Sequence, residues 1–229
     1  MMNDPAERIT PTTLSTTDWV AALEADDADT VRAALAAQPA RVNRFINQPT
    51  DAGDQMWMPM HFAAAAGADA VVAVLLEHGV SPQCRTRFAV PTQARATPLH
   101  LATQHGHRAV VERLIKAGAE VDVLDARLDR PLHLAARHGQ AGLIEMLARH
   151  GAALDPRNTN DRTPLHEAIR STEGVTDEDA NDTAIALIDA GADREAVCAK
   201  EPEAATPAMR CRALAGPRLT VLQALGSSG

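Results

Sequence analysis

The sequence predicts an all-α fold, a solenoid of about six helix-turn-helix units, and three observations lead there. Ala and Leu, both strong helix formers, dominate a 229-residue chain that is 45% hydrophobic. The aromatic residues that fill sheets are scarce: Trp19, Phe45, Trp57, Phe62 and Phe88 are present and Tyr is absent. A ten-residue pattern also recurs along the chain at a nearly fixed interval, and such recurrence is the mark of a repeat architecture.

The pattern opens as MPMHFAAAAG at Met58, TPLHLATQHG at Thr97, RPLHLAARHG at Arg130 and TPLHEAIRST at Thr163, with a weaker TPAMRCRALAG from Thr206. The steps are 39, 33, 33 and 43 residues, so the unit is 33 with additions of six and ten. The second halves match as well: VVAVLLEHGV, VVERLIKAGA, LIEMLARHGA and AIALIDAGAD.

One unit shows the physics. Thr97 is placed to N-cap the first helix with its hydroxyl, and Pro98 suits the first helical position, where an N–H needs no partner. Leu99, Leu101 and Ala102 supply a buried face, and Gly106 ends the helix. Val110, Val111, Leu114 and Ile115 then form one apolar face of a second helix, which Gly118 terminates. A single such hairpin cannot bury its own apolar face, whereas stacked neighbours can.

The pattern resembles the ankyrin repeat, with its Thr-Pro-Leu-His-x-Ala opening, inter-helix Gly, Val-Val-x-Leu-Leu second helix and Gly-Ala-Asp exit. The resemblance covers roughly residues 55–193 and thins at both ends. It implies an ankyrin-repeat solenoid with hairpin-like finger loops. One domain is expected over 18–225: a degenerate unit at 18–54, repeats from about 55, 94, 127 and 160, and a degenerate unit at 206–225. Residues 1–17 are expected to be flexible, and 226–229, a GSSG tail, lies outside the fold.

The net charge of −8 argues against a nucleic-acid partner, since such domains carry a basic face or high pI. The charge is uneven, however. Residues 1–54 hold 4 bases and 9 acids, 55–172 hold 13 and 11, and 173–229 hold 5 and 10. Cys84, Cys198 and Cys211 form no Cys-x-x-Cys pair, so neither a disulfide framework nor a zinc module is indicated, and a reducing, cytoplasmic setting is expected. No signal-like apolar core or membrane-length apolar run occurs, although secretion by another route would leave no trace in the residues. A monomer without metal or cofactor is the expectation.

Nine histidines invite a catalytic or metal-binding reading. His100, His133 and His166 share one motif position, and the resemblance implies that they bond the capping Thr97 and Thr163 and nearby backbone, beside Pro98 and Pro164. Equivalent atoms of stacked helices lie roughly 10 Å apart, too far to share one ion. No nucleophile elbow, catalytic cysteine setting or phosphate-cradling loop is present, and no catalytic residue is assigned.

Binding in ankyrin-like arrays uses finger tips and the exposed ends of inner helices. The matching positions are Gln55 and Trp57; Gln93, Arg95, Gln104 and His105; Arg127, Asp129, Arg137 and His138; and Asn160, Arg162 and Arg170. Arg130 replaces a capping Thr, as if kept for recognition at the expense of stability. Several arginines on one face suit acidic partner side chains; alternatively, arginine is simply this chain's preferred base. Trp57 has no obvious core to join and reads as a contact residue, unless it packs beneath 43–56. The inserted finger adds Arg85, Arg87 and Phe88 as loop candidates. The rival to a non-catalytic protein-interaction module is an enzyme or regulator whose small-molecule site lies between loops 80–96 and 171–183.

Overall fold

The computed structural model describes residues 14–48, 55–87, 95–170 and 175–196. Among them, ten α-helices form five stacked hairpins. Helix α1 (Thr16–Glu24) pairs with α2 (Ala28–Ala37), α3 (Pro59–Ala66) with α4 (Asp69–Glu77), and α5 (Pro98–Gln104) with α6 (Arg108–Lys116). Helix α7 (Pro131–Arg137) pairs with α8 (Ala141–Arg149), and α9 (Pro164–Ala168) with α10 (Asp177–Asp189). The inner helices α1, α3, α5, α7 and α9 pack in succession; in the outer row α2 meets α4, α4 meets α6, and α8 meets α10. This is an all-α solenoid. The unit expected at 206–225, the tail, and residues 1–13 lie outside the described residues.

Each outer helix buries the stripe that its spacing predicts: Val110, Val111 and Leu114 on α6, and Leu143, Ile144 and Leu147 on α8. These stripes merge into one apolar cluster running from Trp19 to Ala192. Units are also tied at their edges. Asp122 accepts the N–H of Ala153 (3.1 Å), and Asp155, 33 residues on, accepts that of Asp193 (2.9 Å).

Two expectations are corrected. The stretch 171–183 is not one solvated loop, because α10 begins at Asp177. Thr176 caps it, its hydroxyl accepting from Asp179 N–H (3.1 Å) and donating to Asp179 Oδ2 (2.6 Å), and the acidic start complements the helix dipole. Val175 and Asp179 lie over the α7–α8 turn, where Gly139 (φ 69°) leaves no room for a side chain: a Cβ there would stand 2.9 Å from each.

The second correction concerns Trp57. Residues 46–48 and 55–57 form a short antiparallel ribbon, β1 (Ile46–Gln48) and β2 (Gln55–Trp57), with Ile46 opposite Trp57. Met56 extends it by backbone hydrogen bonds to Arg87 in both directions. The pairing turns Trp57 inward with Ile46, leaving it 8% exposed and edge-on to Phe62 at 5.1 Å between ring centroids. It belongs to the core. Trp57→Ala is therefore expected to lower stability by about 3–5 kcal/mol, seen as a fall of many degrees in thermal unfolding; an unchanged midpoint would contradict this placement.

Candidate functional site

The motif histidines sit at the seams between units. His100 Nδ1 accepts the N–H of Thr97 (3.2 Å) and lies 2.9 Å from its hydroxyl, so the ring proton is on Nε2, which donates to Asp129 O (3.2 Å) in the next finger. His133 repeats this with Arg130 N–H (3.1 Å) and Arg162 O (3.0 Å), and His61 with Met58 N–H and Cys84 O. Thr97 and His100 thus form a capping box, with the Thr97 hydroxyl also bonded to the ring as the resemblance implied. At Thr163 the hydroxyl does both, donating to His166 Nδ1 (2.8 Å) and accepting His166 N–H (3.4 Å). Burial drives the His61 and His100 rings down to about 4, keeping both neutral and committed to these bonds.

The arginines expected to project into the groove are largely spoken for. Arg137 forms an ion pair with Asp129 (2.9 Å) and donates to Glu167 (3.1 Å), both carboxylates being 1% exposed. Asn158 Nδ2 completes the cluster with 2.9 Å bonds to Asp129 and Glu167, and Arg162 (3.9 Å) and Arg170 (3.7 Å) approach Glu167. Burial alone raises the Glu167 pKa, but Arg137, Asn158 and Arg170 outweigh it and hold the carboxyl below its ordinary range. Asp129 and Arg137 are corrected accordingly: they are interior ion-pair partners. Arg130 pairs with Asp122 (3.3 Å). Glu167 and Asn158 escaped the sequence reading, although Glu167 fills a motif slot held by Leu in two other units (Leu101, Leu134).

The residues left facing outward are fewer. Gln104 is half-buried and His105 exposed at the end of α5, and His138 is half-buried at the matching end of α7. Burial and the neighbouring charges hold both histidines below their usual pKa. On the fingers, Arg95 and Asn160 are exposed and Arg127 half-buried. Arg85 reaches across to Leu124 O (2.7 Å), and Arg87 stacks over Phe45 (4.6 Å). Phe88 and Gln93 lie outside the described residues, as does the Gln55 side chain.

Finger geometry repeats too. Asp125 Oδ1 accepts the N–H groups of Arg127 (2.7 Å) and Asp129 (2.8 Å), and Asn158 Oδ1 those of Asn160 (2.9 Å) and Arg162 (3.1 Å). Thr159 N–H then donates to Arg127 O (2.8 Å), joining one finger to the next. Burial and the Asp129 charge push the Asp125 carboxyl up to about 6. Between Arg85 and Arg95 on one side and the finger at 120–130 on the other lies an open trough of about 410 Å³.

The family model for ankyrin repeats (three copies) matches residues 20–125 and 123–198. The chain belongs to the ankyrin-repeat family. Such repeats are generally protein-protein interaction modules. The chain is also similar to the human transient receptor potential cation channel subfamily A member 1, at 34% identity over 71 residues. That match covers 29% of this chain and 6% of the channel protein. Among the described residues no ankyrin helix is long and apolar enough to cross a membrane, and no three His, Cys, Asp or Glu side chains converge as metal ligands.

A double-mutant cycle of Arg137→Ala and Glu167→Ala is expected to give a coupling energy of about 1–3 kcal/mol in chemical denaturation; a value near zero would remove the cluster from the account. Asp125 titrates in the opposite sense to a salt-bridged acid. Its folded pKa of about 6 exceeds the ordinary 3.8, so its contribution is greatest below 3.8 and is lost as pH rises through 6. Asp125→Asn keeps an acceptor oxygen, as Asn158 does, and its stability relative to the parent should rise by on the order of 2 kcal/mol from pH 4 to 7, measured by urea unfolding.

Proposed function

We propose that the chain is a non-catalytic protein-binding module whose partner lies along the outward ends of α5 and α7 and the adjoining finger tips. One observation carries the reading. The seams are closed by neutral histidines and buried ion pairs, so the side chains left to face outward, among them Gln104, His105, His138, Arg95 and Arg127, belong to successive units of one array. Arg95 and Arg127 favour an acidic partner surface. The likeness to a channel subunit supports the interaction reading only, since it spans 6% of that protein.

We favour this reading over an enzyme or a small-molecule site between loops 80–96 and 171–183, judged on the described residues of those loops. Those residues are anchored at different places: Arg85 bridges to Leu124, whereas Val175 and Asp179 pack over Gly139.

A pull-down from native lysate tests the proposal. The parent chain is compared with a variant carrying Gln104→Glu, His105→Glu and His138→Glu, its fold verified by circular dichroism. Loss of a specific partner set is expected; recovery of the same proteins by both chains would refute the proposed face.

A further inference from the structure

Leu124 and Leu128 are the large apolar side chains that the described residues leave exposed, at 38% and 45%. Both stand on the finger between α6 and α7. Leu128 is moreover held at φ 59°, the left-handed region that an ordinary side chain adopts only under strain. The corresponding residue of the next finger is Asp161 (φ 61°), a type that tolerates this conformation, and glycine would adopt it freely. An exposed leucine in a strained backbone adds little to the fold, so contact with a partner is the physical use that remains for it.

The surroundings specify the chemistry. Arg85 donates to Leu124 O (2.7 Å) and Arg95 O (3.2 Å), which locks the inserted finger to its neighbour and holds a guanidinium beside the leucines. Arg85, Arg95 and Arg127 enter no ion pair among the described residues. Of the acids that line the trough, Asp122 is engaged by Arg130 and Asp125 by two backbone N–H groups, while Glu120 is exposed. The open trough of about 410 Å³ is lined by Arg85, Arg95, Leu124 and Leu128, with the acids Glu120, Asp122 and Asp125 and with Arg130. It has room for a side chain of a partner and none of the enclosure that a small-molecule site needs.

We propose that this tip anchors a peptide segment bearing a large apolar side chain flanked by Asp or Glu, the apolar group seated against Leu124 and Leu128 and the carboxylates met by Arg85 and Arg95. The proposal rests on the protein-binding function argued above and names the chemistry of its partner. A nucleic acid would engage the arginines but set the leucines against charged phosphates, so the peptide is favoured.

The test is an NMR titration of the isotope-labelled full chain with three blocked peptides: Glu-Leu-Phe-Glu, Lys-Leu-Phe-Lys and Glu-Ser-Ser-Glu, with a short thymidine oligonucleotide as a fourth probe. Glu-Leu-Phe-Glu is expected to shift amides at 85–87, 95 and 122–130, and the other three to do so at least roughly tenfold more weakly. Leu128→Gly should weaken that binding by roughly tenfold while leaving the melting temperature unchanged or raised, because glycine suits the turn. Equal response to all probes, tighter binding of the oligonucleotide, or undiminished binding by Leu128→Gly overturns the proposal. Shifts at Gln104, His105 and His138 without the tip overturn it too, yet leave the broader binding function standing. No shift from any probe overturns the tip assignment, and the lysate experiment, which uses native partners, judges the broader function separately.

Discussion

A neutral imidazole shared between two units is the contact on which this array depends. Its Nδ1 accepts from the N–H that opens its own helix, and its Nε2–H reaches a carbonyl 29 residues ahead, as from His100 to Asp129 and from His133 to Arg162. A protonated ring has no acceptor and would lose the first bond, while burial already disfavours the charge. The same atom pair therefore caps a helix, orients a finger and sets the spacing between neighbours. Everything apolar in the stack follows from that spacing, because each hairpin buries its face only against the next.

The polar cluster around Arg137 is a local elaboration of the same seam. Asp129 offers its carbonyl to His100 and its carboxylate to Arg137, so one residue belongs to both devices. Glu167 takes a slot that is Leu in two other units and is satisfied there only because Arg137 and Asn158 meet it. The desolvation of such buried charges offsets much of what their pairing contributes. The cluster also removes Arg137 from the exterior, leaving recognition to residues farther out on the fingers and helix ends.

The fold was legible because its signals are local and repeated. A Pro-x-His start recurs in four copies, an inter-helix glycine in three of them, and the i, i+1, i+4 stripes follow, so the copies reinforce one another. The site was legible in outline only. Trp57 turned inward because of a ribbon partner, Ile46, eleven positions away, which no helical period announces. Arg137 reads as a free cation until Asp129 and Glu167, thirty-eight residues apart, are brought to it by stacking. The start of α10 was available in the Thr176-x-x-Asp179 spacing and was masked by the acidity of its surroundings. Leu128 carries no sequence mark at all, since its significance lies in a backbone angle.

The most direct test is the protonation state of the seam itself. Long-range nitrogen-proton NMR of the imidazoles reports tautomer and charge ring by ring. His61 and His100 should show the Nε2–H tautomer and stay neutral from pH 8 down to about 5, in keeping with their values near 4. Titration of these two rings near the ordinary 6.5, or an Nδ1–H tautomer in either, would contradict the shared-imidazole account.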